Sequence, residues 1–165
     1  MMLHRVFACS MRGAYCLMIE VPEEREIVVG SLGSHRYQRG VYAYVGSALA
    51  GVEQRVGRHK SQKKRLRWHI DYLLANADIL ATVAIPGERK EVECGIAQAL
   101  QRCEGASIPV PGFGASDCRC DSHLLYFGDV DPELVSEMIM MRLSMLECVY
   151  PRRTARKPNP KIKRE

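Results

Sequence analysis

Nowhere in the 165 residues does an uninterrupted apolar run approach the roughly 18 needed to cross a bilayer. The opening MMLHRVFACSMRGAY lacks the charged-then-apolar pattern and cleavage site of a signal peptide, so a cytoplasmic protein is expected. Paired C-x-x-C hooks are absent as well. The cysteines number seven, an odd count without a secretory signal, which favours reduced thiols over a disulfide framework. No internal repeat is visible. Hydrophobic residues make up 47% of the chain, ample for a real core, which excludes collagen-like, coiled-coil and disordered classes for its body. One domain is expected over residues 1–150.

What the chain has is positive charge in two places. Between Glu53 and Arg67 lie seven basic residues against one acid, and residues 151–165 repeat that balance. The net charge is only +5, so the rest of the chain is acidic. Two basic clusters on an acidic body suit a polyanion approached from one side, although a solvated helix face and a solubilising tail give the same charge pattern. The tail has lost its apolar content and reads as disordered.

GAYCLMIEV, from Gly13 to Val21, is a strand signature closed by Pro22. Ile27 to Val29 is a short second strand candidate. The Gly/Ser punctuation of SLGSHRYQRG then leads to the strand-like VYAYVG, Val41 to Gly46. From Val52 the period changes, with Val52, Val56 and His59 at helical spacing and basic residues between them. RWHIDYLLANA suggests a second helix, ILATVAIPG a further strand and EVECGIAQALQRC, Glu91 to Cys103, an amphipathic helix. IPVPGFGASDCRCDS reads as loop, followed by the strand-like HLLYF from His123 to Phe127. Asp131 can cap a last helix through PELVSEMIMMRLSMLE, with Pro132 in its first turn. Its methionines, Met138, Met140, Met141 and Met145, read as core or docking surface.

Gly13-Ala14-Tyr15, Tyr44-Val45-Gly46 and the arginine helix Arg55-Val56-Gly57-Arg58-His59 follow one another in order. Together they resemble the GIY-YIG nuclease superfamily. YVGSALAGVEQRVGRH, WHIDYLL and FGASDCRCDSHLLYF resemble its archaeal and bacterial branch long filed as a domain of unknown function (DUF123-type), over roughly residues 13–127. The resemblance implies an α+β fold: a small, mainly antiparallel central sheet flanked by helices, here with an added C-terminal helix and basic tail. It also implies phosphodiester hydrolysis with Mg²⁺ or Mn²⁺. Tyr15 would be the general base or orient the attacking water, which calls for nearby positive charge or metal-bound water to lower a phenol pKa of about 10. Tyr44 would bond the water or the phosphate, and Arg55 would grip the scissile phosphate with its planar fork. His59, one helical turn on from Arg55, would be a proton shuttle or phosphate ligand.

Nucleases of this superfamily carry a metal-binding glutamate on a later helix, and the register of the 91–103 helix puts Gln98 at that place. A neutral amide is a poor Mg²⁺ ligand, so Glu93 is the best carboxylate, with Asp71 or Asp117 as alternatives. His69, Asp71, Asp117 and His123 belong to the branch-specific segments and are candidates for the same cleft; Asp117 can equally tie the glycine-rich loop. Cys118, Cys120 and His123 have C-x-C-x-x-H spacing, which His69 or Cys94 would complete as a tetrahedral Zn²⁺ site, but without paired hooks the leading reading is reduced thiols and a packed histidine.

The expected function is a metal-dependent DNA endonuclease, with a role in repair. Lys60, Lys63, Lys64, Arg65 and Arg67 would contact the phosphate backbone, which gives affinity and salt sensitivity rather than sequence choice. The alternative is a non-catalytic nucleic-acid-binding module that keeps the fold.

Overall fold

The computed structural model describes residues 11–87 and 89–149. The basic tail at 151–165, expected to be disordered, lies outside the described residues.

Strand β1 (Gly13–Val21) is the centre of the fold because it is apolar at almost every position and can be buried on both faces. It pairs antiparallel with β4 (Gly40–Ala48) on one side and β5 (Asp78–Pro86) on the other, and β6 (Leu124–Tyr126) completes a sheet of order β5-β1-β4-β6. The two-residue period of a strand divides this sheet into two unlike faces. Tyr15, Leu17 and Ile19 of β1 join Tyr42 and Tyr44 of β4 in one core, while Cys16, Met18, Ala43 and Val45 belong to the other.

The tyrosine face is covered by a ribbon of β2 (Arg25–Val28) and β3 (Ser34–Tyr37), and by helices α1 (Val52–Lys60) and α2 (His69–Leu74). The opposite face is covered by α3 (Lys90–Gln101), through Val92, Ile96 and Leu100, and by α4 (Pro132–Val149), through Val135, Ile139 and Leu143. The expected α+β architecture is thus the observed one: an antiparallel sheet between helices, with a C-terminal helix added.

Most expected elements form within a residue or two of their sequence signals. The exception is β3, which lies inside the stretch read as Gly/Ser punctuation. Of Ser34, His35, Arg36 and Tyr37 only Tyr37 is buried, so the ribbon carries no apolar alternation for a reader of the sequence to find. In α1 the buried residues are Val52, Val56 and His59, as their spacing requires. The methionines of α4 divide: Met138 packs on the core, whereas Met140, Met141 and Met145 are exposed. Asp131 caps that helix, its Oδ1 accepting the Glu133 N–H at 2.9 Å.

One glycine explains a tripeptide. Gly46 stands opposite Tyr15 in the β1–β4 register, and a Cβ there would lie 2.4 Å from the Tyr15 hydroxyl. The third residue of Tyr44-Val45-Gly46 is therefore the hollow into which the phenol of Tyr15 folds. Gly57, in α1, has nothing within 4 Å of the place a Cβ would take.

The two glycines predict opposite substitutions. Gly46→Ala is expected to lose about 2 kcal/mol of stability to overpacking, and Gly57→Ala to gain up to about 1 kcal/mol from helix propensity, both read by urea unfolding. Equal effects of the two would refute this account of the tripeptide.

Candidate active site

A cleft of about 360 Å³ opens where the sheet, α1, the start of α2 and α3 meet. Tyr15 and Tyr44 reach it from adjacent central strands, Arg55 from α1, His69 from α2, Glu93 from α3 and Asp117 from the loop before β6. The chain thus brings together six residues drawn from six separate segments. The two tyrosine rings sit with centroids 6.4 Å apart, tilted at 55°, and both are buried.

Burial sets the chemistry of the phenols. It pushes the pKa of Tyr15 well above its ordinary value; the Arg55 charge opposes that rise and the Glu93 charge adds to it. Tyr44 is raised by the same burial. Of the two aids expected for Tyr15, nearby positive charge or metal-bound water, the Arg55 charge does act to lower its pKa, but desolvation of a buried phenolate outweighs that one guanidinium.

Tyr15 has a different aid. Its hydroxyl lies 2.7 Å from Nε2 of His59, a wholly buried contact. Burial, assisted by Lys64, depresses His59 to about 4, with Asp71 working against that fall, so the ring is neutral near pH 7. Its Nδ1 has no hydrogen-bond partner and lies 3.9 Å from Oδ1 of Asp71. With the ring proton on the side of that carboxylate, Nε2 must accept, and Tyr15 donates to it. The phenol proton then points into the protein, which leaves the oxygen lone pairs for the cleft. His59 is 3% exposed and stands behind Tyr15, so it is placed to take a proton from Tyr15 and not to touch a phosphate.

Asp71, 0% exposed, is the anchor of this arrangement rather than a cleft residue. Both its oxygens accept from Arg58, at 2.8 and 3.0 Å, and Oδ2 also accepts the N–H groups of Arg67 and Trp68. Burial by itself would raise its pKa; these bonds overcome that and hold it at about 2. Its fork partner, Arg58, is hidden from sequence reading inside a run of basic residues that looks like a solvated face.

Trp68, the chain's single tryptophan, is the second unforeseen residue. It lines the cleft, and the guanidinium groups of Arg55 and Arg58 lie 4.3 and 4.1 Å from its ring centroid, a cation–π arrangement. Arg55 is thereby held extended at the cleft wall. Arg67 also lines the cleft, and with Lys60, Lys63 and Arg65 it is exposed. Lys64 departs from the expected set of phosphate contacts. Its ammonium turns inward to the His59 carbonyl at 2.7 Å and lies 3.6 Å from Asp71, adding a second cation beside the buried carboxylate that Arg58 already grips.

Of the two carboxylates that line the cleft, Glu93 is buried and Asp117 exposed, and Gln98 lies elsewhere on α3, its amide 3.9 Å from the Cys120 sulfur. Oε1 of Glu93 meets Nδ1 of His123 at 3.0 Å. His123 is 1% exposed and so does not line the cleft; its Nε2 faces Cys118 Sγ at 3.5 Å and Cys94 Sγ at 3.9 Å. With Cys120 these residues form a group whose four ligand atoms all lie within 4.8 Å of one another and can hold a metal ion such as Zn²⁺. Cys94 is thus the fourth member. His69 is not, its Nδ1 accepting the Gly114 N–H at 3.0 Å. The five cysteines whose state is described are free thiols. Asp117 pairs with Lys90 at the start of α3, an exposed contact beside both the cleft and the thiols. Among the described residues no helix is long and apolar enough to cross a membrane.

A family model described as Domain of unknown function DUF123 matches residues 14–145, a span that contains the whole cleft and the thiol group. No curated protein and no solved structure matches the chain.

The Asp71 site predicts a two-part acid response. An ordinary histidine titrates near 6.5 and His59 at about 4, so between those values the unfolded chain takes up more protons and stability falls as the pH drops. Asp71 contributes fully above 3.8, and that contribution is lost as the pH falls through about 2. Thermal melts from pH 7 to 3 should show His59→Gln flattening the upper part. Asp71→Asn should cost about 3 kcal/mol at pH 7 by stranding Arg58 and Lys64. An unchanged upper slope in His59→Gln would remove His59 as its cause.

Proposed function

The chain belongs to the family described as domain of unknown function DUF123, and we propose that in this member the cleft hydrolyses phosphodiester bonds of DNA as a divalent-metal-dependent endonuclease of GIY-YIG type. One observation carries the reading. Tyr15, Tyr44, Arg55 and Glu93, from four elements, line one cleft together with the exposed Arg67, and the chain between Arg55 and Arg67 carries the further exposed cations Lys60, Lys63 and Arg65.

The chemistry follows from those positions. A duplex backbone lies along these cations, and Arg55, extended on Trp68, offers its fork to the scissile phosphate. Tyr15 stays a neutral phenol. It donates to His59 and accepts from the attacking water, fixing that water's lone pair toward phosphorus; as the water oxygen bonds to phosphorus, the water proton passes to Tyr15 and the phenol proton to His59 Nε2, while the bond from phosphorus to the leaving sugar oxygen breaks and that oxygen departs with the bonding pair, taking a proton from solvent. The imidazolium then faces Asp71. Tyr44 supplies a second hydroxyl on the other side of the floor.

Mg²⁺ or Mn²⁺ fits the donor set. Glu93 gives a carboxylate oxygen in the cleft, and Mg²⁺ commonly takes one or two protein carboxylates, completing its shell with water and phosphate oxygens. Bound there, it would neutralise charge developing on the phosphate oxygens. A nucleic-acid-binding module that retains the fold is the rival, and it shares the same cations.

The deciding experiment offers labelled single-stranded, duplex, flapped, branched and damaged DNA, plus RNA, with Mg²⁺ or Mn²⁺. Cleavage is expected, reduced about 10²–10³-fold by Arg55→Ala and about 10²-fold or more by Tyr15→Phe. Binding that is salt-sensitive, without cutting in either metal and indifferent to both substitutions, would replace the nuclease with the binding module.

A further inference from the structure

The thiol group touches the cleft through one imidazole. Cys94 Sγ and Glu93 Oε1 belong to consecutive residues of α3, and they meet opposite nitrogens of the same ring, Nε2 and Nδ1 of His123, at 3.9 and 3.0 Å. We infer that Cys94, Cys118, Cys120 and His123 hold a tetrahedral Zn²⁺ whose histidine is buttressed by Glu93, so that this zinc fixes the position of the cleft's buried carboxylate.

The distances suit the ion. Zn–S bonds of about 2.3 Å and Zn–N bonds of about 2.0–2.1 Å at tetrahedral angles place sulfur about 3.6 Å from nitrogen and about 3.8 Å from sulfur. His123 Nε2 stands 3.5 Å from Cys118 Sγ and 3.9 Å from Cys94 Sγ, and no two of the four ligand atoms are more than 4.8 Å apart. Four protein ligands close the coordination shell, the mark of a structural rather than a catalytic zinc. Soft thiolates select it against Mg²⁺.

The surroundings complete the case. A metal-bound histidine ordinarily gives its other N–H to a carboxylate, which fixes ring and tautomer, and Glu93 is that acceptor. The Gln98 amide stands 3.9 Å from the Cys120 sulfur as an N–H donor. A glutamate at 98 would set a second negative charge against a thiolate, which gives the amide at that position a physical reason. The backbone of His123 is itself bonded to Phe113 and Val45, so the ring is held from both ends. Zinc would therefore clip α3 to the 118–123 segment, adding to the Glu93–His123 contact, the Gln101–Asp121 hydrogen bond and the neighbouring exposed Lys90–Asp117 pair.

The test is read from metal, not from cleavage, and so stands apart from the nuclease proposal. The full chain, purified without chelator, is analysed for metal, then stripped and reloaded with Co²⁺. About one zinc per chain is expected, with thiolate-to-cobalt charge-transfer absorption and the intense visible bands of tetrahedral cobalt. Cys118→Ser/Cys120→Ser should lose both. Competition with a chromophoric chelator measures the outer link: Glu93→Gln should weaken zinc binding about 10–100-fold, while Glu104→Gln, at an exposed position beyond the end of α3, should not. Absence of zinc and of the cobalt spectrum in the wild-type chain, or full zinc in the double variant, overturns the site. Glu93→Gln binding zinc as tightly as wild type overturns the link to the cleft.

Discussion

The buried carboxylate of Asp71 is the point on which the cleft depends. A charge with no exposure is tolerable only when several donors surround it, and here Arg58, two backbone N–H groups and the nearby Lys64 ammonium do so. In meeting that requirement the chain closes the end of α1 onto the start of α2, sets Trp68 under Arg55, and leaves His59 with one nitrogen toward the carboxylate and the other toward Tyr15. The cleft is largely the shape left over once Asp71 has been satisfied.

On the opposite wall His123 has the corresponding place. Its backbone is tied to Phe113 and Val45 and its two ring nitrogens face Glu93 and the thiols. Gly114, at φ +69°, passes close to both the Tyr44 ring and the His123 Cβ, where a side chain would not fit. A loop rich in glycine and cysteine is thus pinned at Gly112, Gly114 and His123, whose N–H groups meet the Asp121 carbonyl, the His69 ring and the Phe113 carbonyl.

Between these walls the strands contribute position more than chemistry. Tyr15 and Tyr44 can stand side by side on one face because each is an odd-numbered step from a buried neighbour on the other, and Gly46 leaves the space that Tyr15 fills. Rigid central strands keep two hydroxyls at a fixed separation, while the charged partners come from helix ends and loops that the sheet merely holds in place.

The sequence by itself determined the alternating and helical periods, hence the α+β order, the capped C-terminal helix and the local adjacency of Arg55 and His59, since these depend on neighbours within a turn or a strand. The motif residues Tyr15, Tyr44 and Arg55 were legible for the same reason: each is marked by a short local pattern. Only the tertiary structure decided which carboxylate reaches the cleft, that Asp71 and His59 lie behind Tyr15, that Lys64 turns inward, and that Cys94 joins the C-x-C-x-x-H segment. Those facts rest on contacts spanning tens of residues, and on burial that moves a phenol, an imidazole and a carboxyl away from their ordinary pKa values. Neither spacing nor composition encodes burial of that kind; it arises when the two faces of the sheet are closed.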